Sequence, residues 1–324
     1  MRQPSLHFVA CPDATGGHRM AYWAWGDPAS AHVVLCVHGL SRQGRDFDEL
    51  ARSLCDGAAD RPGGIRVICP DVVGRGHSDW LADPLQYLIP TYAADMVALI
   101  FQLHSEAPVG TLDWVGTSMG GLIGMAVCGQ LGLPMPLIRG AGATQSTPLT
   151  VRRLVLNDVG PALEWGAIER IGSYLGRGGP FDSLEEAAEA LRLISLGFGP
   201  HTPAQWLALS APMVKPVEGA EGGEGEEHGR LRLHYDPALA VPFKSATRES
   251  TAQGEAMLWQ LYDQVRAETL VLRGAESDLL SPSTAQAMTE RGPAARLITF
   301  SGVGHAPTLV ANDQRDTVTS FLLR

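Results

Sequence analysis

Short apolar runs alternate along this chain with longer segments of helical periodicity. The runs that predict buried strands are residues 32–37, 65–69, 111–115, 154–156, 269–272 and 296–300. The segments with helical spacing of apolar side chains are residues 46–55, 91–103, 119–131 and 312–323. Residues 8–10 and 19–25 predict an antiparallel hairpin at the sheet edge, with Gly16 and Gly17 between them. Apolar strands separated by helices are typical of an α/β fold in which helices cover both faces of a mostly parallel sheet.

The alternation stops between Gly160 and about Gly254. This part contains helical pieces instead, and the piece at 183–196 opens with a Ser-x-x-Glu capping box. We therefore expect a helical cap at residues 160–255, inserted into a core domain made of residues 1–159 and 256–324. Within the cap, residues 218–228 (EGAEGGEGEEH) combine glycine with like charges. That composition predicts a mobile, solvated loop and not a metal site.

Composition excludes several classes of function. The 324 residues carry a formal net charge of −10 without a basic stripe, so we expect no nucleic-acid partner. The five cysteines form no CxxC pair, which favours free thiols over disulfides or a metal centre, and no cofactor motif is present. The N-terminal residues include no apolar stretch of signal-peptide length, and no segment is apolar enough to span a membrane. A cytoplasmic protein is expected, and nothing in the sequence indicates an oligomeric state.

The most specific motif is Gly116-Thr117-Ser118-Met119-Gly120, which lies between a predicted strand and a predicted helix. A serine at such a corner projects its hydroxyl above the sheet, and the turn is sterically possible only with small neighbours. The helix that follows begins with free N–H groups and the positive end of its dipole. We therefore expect Ser118 to be a nucleophile and the N–H of Met119 to face an oxyanion.

A second oxyanion donor is expected from the segment His38-Gly39-Leu40, which follows the strand at 32–37. Gly39 lets the chain turn inward, and the N–H of Leu40 is the natural donor. For the side chain of His38 a structural role is preferred, with hydrogen bonds to backbone at the strand end. His38 is also considered as a residue of the substrate pocket.

A serine hydroxyl needs a base, and His305 is the strongest candidate because it lies in a glycine-rich loop after the strand at 296–300. The histidine needs an acid that fixes its tautomer. Asp278 is preferred because its loop is polar and no cap intervenes before His305. Asp158, which also follows a strand, is kept as an alternative acid or as a pocket residue, and Glu276 is a third candidate.

Five motifs in this order resemble the α/β-hydrolase superfamily. They are His38-Gly39, DVVGRGHS at 71–78, GTSMGG at 116–121, GAESD at 274–278 and GVGHAP at 302–307. The resemblance implies an eight-stranded, mostly parallel sheet whose second strand is antiparallel. It also implies a Ser118–His305–Asp278 triad, with oxyanion N–H groups on Leu40 and Met119. In the segment 71–78, Asp71 and the glycines are expected only to shape a loop.

The resulting interpretation is a serine hydrolase that cleaves a small to medium carboxylic ester through an acyl-enzyme, without a metal or another cofactor. A carbon–carbon bond hydrolase with the same triad is the alternative, although HGLSRQG departs from the HG-x-GPG of those enzymes. A ligand-binding protein with an inactive triad is a further alternative. An aspartate nucleophile of the dehalogenase or epoxide-hydrolase type is excluded by Ser118. Cap residues that are candidates for the substrate pocket, or for the cap's own core, are Trp165, Phe181, Trp206 and Met213.

Overall fold

The structure is a computed structural model that describes residues 3–13, 15–129, 149–217 and 230–324. The strands are β1 (Ser5–Cys11), β2 (His18–Gly26), β3 (His32–Val37), β4 (Arg66–Asp71), β5 (Thr111–Thr117), β6 (Val151–Asn157), β7 (Val214–Pro216), β8 (Leu231–Leu233), β9 (Glu268–Gly274) and β10 (Arg296–Phe300). Eight of them form one sheet in the order β1-β2-β4-β3-β5-β6-β9-β10. The strand β2 pairs antiparallel with both β1 and β4, and the remaining pairs are parallel. The expected mostly parallel sheet with an antiparallel second strand is confirmed.

Helices cover both faces of this sheet. The α-helices of the described residues are α1 (Asp48–Gly57), α2 (Ile89–Glu106), α3 (Met119–Gly129), α4 (Trp165–Tyr174), α5 (Leu184–Ile194), α6 (Pro203–Ser210), α7 (Ala240–Lys244), α8 (Arg248–Gln264), α9 (Pro282–Glu290) and α10 (Asn312–Leu322), of which α4 to α7 lie in the insertion between β6 and β9 and not on the sheet. On one face α1 packs against α10, and on the other α3 packs against α2 and α8. Each face has its own apolar core, because side chains of the buried strands point alternately to the two faces. Within the described residues, no helix combines the length and the apolar character that a membrane crossing requires.

The expected strands and helices agree with the structure to within a few residues at their ends. The ends of β3 and β10 are as predicted, whereas β5 continues to Thr117 and so reaches the residue before Ser118. The helix α3 is described as far as Gly129, and the last two residues predicted for it lie outside the described residues.

Between β6 and β9 the chain forms α4 to α7 and the small β7–β8 hairpin. Ser183 caps α5 by accepting a hydrogen bond from the N–H of Glu186 at 3.1 Å. The Glu186 carboxylate accepts from the N–H of Asp182, not from that of Ser183, so only half of the predicted capping box forms. The predicted boundary at 255/256 falls inside α8, which packs on α3 of the core. Residues 218–228 lie outside the described residues.

A buried polar cluster joins the edge hairpin to α2. His18 on β2 contacts Asp13 at 2.8 Å through Nδ1 and Asp95 on α2 at 3.1 Å through Nε2. Burial alone would lower the pKa of His18, but its hydrogen bonds to Asp95 and Asp13 raise it overall. The thiol of Cys11 lies beside this cluster and, like the other four cysteines, forms no disulfide.

His38 connects the ends of β3 and β4. Its side chain is fully buried, its Nδ1 donates to the carbonyl of Gly39 at 2.7 Å, and its Nε2 accepts from the N–H of Val72 at 2.9 Å. Burial lowers the pKa of His38 to about 3, so the ring is neutral. These bonds to backbone agree with the expected structural role. His38 is not among the residues that line the two cavities beside Ser118, which are described below.

We expect acid to destabilise the protein through His38. Its pKa is lower in the folded state, about 3, than its ordinary value of 6.5, so the stabilisation is present above pH 6.5 and is lost as the pH falls towards 3. By pH 4 the loss amounts to about 3 kcal/mol for this one group. Urea unfolding between pH 7 and pH 4 measures it.

The control for this prediction is His38→Gln, which removes the titrating ring. Burial raises the pKa of Asp71 to about 6, so Asp71 titrates in the same range, but in both proteins. The free energy of unfolding should therefore fall less steeply with acid in the variant. Parallel curves for the two proteins would contradict the assignment.

Candidate active site

Ser118 lies at a strained corner between β5 and α3. Its φ angle is 52°, a left-handed value that a side chain with a Cβ atom rarely adopts. Two backbone hydrogen bonds hold it there: the Ser118 N–H donates to the carbonyl of Asn157 at 2.9 Å, and the N–H of Gly121 donates to the Ser118 carbonyl at 2.8 Å. The corner therefore directs the hydroxyl above the carboxyl edge of the sheet.

The glycines around Ser118 are required by close packing of backbone. A Cβ atom on Gly116 would lie 2.3 Å from the carbonyl oxygen of Gly120, and one on Gly120 would lie 1.9 Å from that of Val37. A Cβ atom on Gly121 would lie 2.4 Å from the Val159 side chain. The start of α3 can therefore pack directly on the ends of β3 and β5 only because the motif G-x-S-x-G-G has glycine at these positions.

His305 reaches Ser118 from the loop that follows β10. Its Nε2 lies 3.0 Å from Ser118 Oγ. The loop is held from two sides: the Asn157 side chain donates to the carbonyl of Pro307 at 2.7 Å, and the N–H of Gly304 donates to the carbonyl of Gly197 in the cap at 2.7 Å. The structure therefore brings together the serine and the histidine that the sequence singled out.

Asp158 is the carboxylate that contacts His305. Its Oδ2 lies 2.7 Å from His305 Nδ1 and also accepts from the Ser277 hydroxyl at 2.6 Å, while Oδ1 accepts from the N–H of Gly274 at 2.8 Å. The residue is fully buried and directly follows β6 with a φ angle of 56°. Because an ionised carboxylate can only accept, the Nδ1 of His305 carries the proton and Nε2 is free to accept from Ser118.

The expected contact between Asp278 and His305 is wrong. Asp278 forms a bidentate ion pair with Arg170 of the cap helix α4, at 2.7 and 2.9 Å, and its side chain is 48% exposed. The loop after β9 turns Ser277 towards Asp158 and Asp278 towards the cap. Glu276 is also exposed on this loop. Of the candidate acids, only Asp158 is placed beside His305.

Leu40 and Met119 both border the cavity at Ser118. A Cβ atom on Gly39 would lie 3.7 Å from the Cβ of Ser118, so the segment leading to Leu40 runs directly beside the serine. Met119 is the first residue of α3, where an N–H has no acceptor within the helix. The two peptide groups expected to bind an oxyanion therefore flank the serine.

Arg75 is a functional candidate that the sequence reasoning passed over. Its guanidinium is fully buried, donates from Nε to the carbonyl of Leu40 at 2.8 Å and from Nη2 to the sulfur of Met119 at 3.4 Å, and lies 4.9 Å from the ring centre of Tyr92. No carboxylate pairs with it in the part of the chain that the structure describes. A buried cation thus supports both residues that flank Ser118.

Two cavities meet at Ser118. The larger, of about 240 Å³, is almost entirely apolar, and among the described residues no charged side chain lines it. Its walls come from the segment before α2, from α3 and from the cap, and include Tyr87, Ile89, Leu122, Ile171 and Phe243. It offers space to an uncharged chain attached at the carbon that the serine would attack.

The smaller cavity, of about 90 Å³, lies on the side of His305. Arg42 and Arg170 line it together with Tyr174, Ser195 and Met213, and the described part of its wall has no carboxylate. Both arginines are paired outside the cavity, Arg42 with Asp46 and Arg170 with Asp278. The two sides of the serine therefore differ in charge.

Of the cap residues considered for the pocket, only Met213 lines either cavity at Ser118. Trp206 stacks on Phe198 with ring centres 6.0 Å apart, and Phe181 is buried where it pairs with Leu231. Trp165 is half-buried at the start of α4 and reaches neither cavity. None of these three aromatic side chains lines a cavity at Ser118.

The comparisons with known proteins agree with this architecture. Residues 34–318 match the profile of the α/β-hydrolase family. A 3-hydroxybutyrate-oligomer hydrolase of Cupriavidus necator is 48% identical over 307 residues, which cover 95% of this chain and 94% of that protein. The crystal structure of an α/β hydrolase from Novosphingobium aromaticivorans aligns with a TM-score of 0.77 and 31% identity, covering 100% of this chain and 99% of that one.

A further crystal structure, from Rickettsia typhi, aligns with a TM-score of 0.78 and 26% identity and covers 99% of both chains. Sequence similarity thus extends along nearly the whole chain. It includes the strands of the sheet, the corner at Ser118 between β5 and α3, and the inserted helices. The chain belongs to the α/β-hydrolase family.

Proposed function

We propose that the protein is a serine esterase that cleaves short linear esters of a 3-hydroxybutyrate type through an acyl-enzyme. The observation that carries this proposal is the continuous hydrogen-bonded chain from Asp158 through His305 to Ser118, with distances of 2.7 and 3.0 Å. It is the arrangement by which a serine hydroxyl becomes a nucleophile at neutral pH.

In the first step Ser118 Oγ attacks the ester carbonyl carbon while His305 Nε2 takes the hydroxyl proton. Asp158 keeps the Nδ1 proton of the imidazole in place and stabilises the imidazolium that forms. The buried carboxylate needs no reorganisation for this, because Gly274 and Ser277 already hold it from the other side.

The oxyanion of the tetrahedral intermediate accepts from the N–H groups of Leu40 and Met119. Each such donor typically contributes about 3–4 kcal/mol to transition-state stabilisation. Arg75 fixes the carbonyl of Leu40 and adds a positive charge behind both residues. The donors are therefore held in position before the substrate arrives.

The intermediate collapses when His305 passes its proton to the leaving alkoxide. The leaving alcohol must then lie on the side of His305, in the smaller cavity, and the acyl chain in the larger apolar one. A water molecule next gives a proton to His305 and attacks the acyl carbon, which releases the acid and restores Ser118. No step requires a cofactor or a metal ion.

The choice of substrate class rests on the relative that is 48% identical, whose name describes hydrolysis of 3-hydroxybutyrate oligomers. The larger cavity supports this choice, since an oligomer of a hydroxy acid carries uncharged ester groups and methyl branches along its acyl side. Such a chain is short and flexible enough to enter between the cap and the core.

A fluorophosphonate probe should label the native protein at Ser118. Ser118→Ala should abolish labelling and lower kcat for p-nitrophenyl butyrate on the order of a millionfold. Ser105→Ala, an exposed serine on α2, is the matched control and should label normally. A native protein that is folded but not labelled would favour a binding protein over an esterase.

Exchanging each candidate acid separately tests the assignment of Asp158. Asp158→Asn should lower kcat for p-nitrophenyl butyrate about ten-thousandfold, because an amide can hold the wrong imidazole tautomer. Asp278→Asn should change it by less than about tenfold, the effect of a partly exposed ion pair. Steady-state kinetics on both variants decides between them, and the reverse order of effects would restore Asp278 as the acid.

The proposed substrate class is tested with a panel of esters. Linear dimers and trimers of 3-hydroxybutyrate should be cleaved with a higher kcat/KM than p-nitrophenyl butyrate, and a ring-fission dienoate should not be cleaved. Product formation measured by chromatography distinguishes the cases. Turnover of the dienoate alone would indicate a carbon–carbon bond hydrolase.

A further inference from the structure

The cavity beside His305 is lined by two guanidinium groups that the proposed mechanism leaves unexplained. Arg42 and Arg170 line it, and no carboxylate does within the described residues. The cavity on the other side of Ser118 has no charged lining at all among these residues. A neutral leaving alcohol would give no reason for placing two guanidinium groups on one side only.

The two arginines differ in their accessibility. Arg42 is nearly buried: its Nε and Nη2 hold Asp46, Nη2 also donates to the carbonyl of Leu209 at 3.0 Å, and its guanidinium lies 5.6 Å from the ring centre of Phe198. These contacts fix its orientation and Asp46 balances its charge, so Arg42 offers no free binding edge.

Arg170 is more open, with 41% of its side chain exposed. Asp278 occupies its Nε and Nη2, which form one edge of the guanidinium. A guanidinium has five N–H donors, and the Arg170 side chain also hydrogen-bonds the Tyr174 side chain, so donors remain for another acceptor beyond those that Asp278 and Tyr174 occupy. Tyr174, one turn further along α4, lines the same cavity.

We propose that Arg170 binds the terminal carboxylate of the leaving hydroxy acid. This inference rests on the proposed function, because it places the leaving group on the side of His305. A linear oligomer of a hydroxy acid ends in a carboxylate, and its last unit leaves as an alcohol that carries this carboxylate. The protein then removes units from the carboxyl end of the oligomer.

Asp278 acts in this arrangement as the competitor of the substrate carboxylate. It lies on the core loop after β9, whereas Arg170 lies on the cap, so the ion pair also joins cap and core. A purely structural ion pair predicts that loss of either partner has a similar effect. A binding role for Arg170 predicts opposite effects on substrates that end in a carboxylate.

The experiment compares kcat/KM for the linear 3-hydroxybutyrate dimer as free acid and as its methyl ester. Arg170→Gln should lower the ratio of acid to ester about fivefold, the size of effect for a partly solvated charge pair. Asp278→Asn should raise this ratio. Arg192→Gln, which breaks a similar exposed cap pair with Glu189, should leave it as in the native protein.

The outcomes separate the two proposals. Equal loss for acid and ester in both variants, with the ratio unchanged, would overturn the role of Arg170 and leave the esterase intact. Absence of turnover on every ester, p-nitrophenyl butyrate included, would overturn the proposed function itself. A trimer blocked at its carboxyl end should be cleaved more slowly than one blocked at its hydroxyl end, and the opposite order would overturn the direction of cleavage.

Discussion

The buried carboxylate of Asp158 is the constraint on which the geometry around Ser118 depends. A charge with no access to water must be compensated by hydrogen bonds, and three donors converge on it, from Gly274, Ser277 and His305. They come from the end of β9, from the loop after it and from the loop after β10. Removing any one donor would leave the charge partly unpaired. The three segments are therefore fixed in position relative to one another and to β6.

The neighbouring residue, Asn157, extends this constraint to Ser118. Asn157 binds the hydroxyl of Thr117 through its side chain, which also reaches the loop of His305 at Pro307, and its carbonyl accepts from the N–H of Ser118. Two consecutive residues at the end of β6 thus hold Ser118 and His305 in their positions. The strained φ angle of Ser118 is maintained because hydrogen bonds of the surrounding segments hold this residue in place.

The parts of this architecture that follow from steric or hydrophobic patterns could be predicted from the sequence. Continuous apolar strands predict a parallel sheet. The glycines around Ser118 predict the corner, and in the structure Gly116 and Gly120 have no space for a side chain. His305 was found because a histidine in a glycine-rich loop has no packing role. These inferences depend on local sequence alone.

The carboxylate that contacts His305 and the lining of the cavities could not be predicted in this way, since both depend on which segments meet in space. Asp158 and Asp278 each come after a strand, but Asp278 pairs with Arg170, 108 residues earlier in the chain, and not with His305. One signal favoured Asp158: it follows the apolar run 154–156 and precedes Val159, a setting in which a carboxylate must find buried donors. The aromatic cap residues failed as pocket candidates because a ring on an amphipathic helix serves the cap's own core equally well.

The two buried charged residues are placed where they would stabilise the charges that develop in the proposed reaction. Asp158 lies behind His305, where positive charge develops, and Arg75 lies behind Leu40 and Met119, where the oxyanion forms. Arg75 also contributes to the low pKa of His38, and a neutral His38 is what allows its Nε2 to accept from the N–H of Val72. Burial is the main cause of that low pKa, and the Arg75 guanidinium adds to it, so the same buried cation acts on both the Leu40 segment and the histidine that joins the ends of β3 and β4.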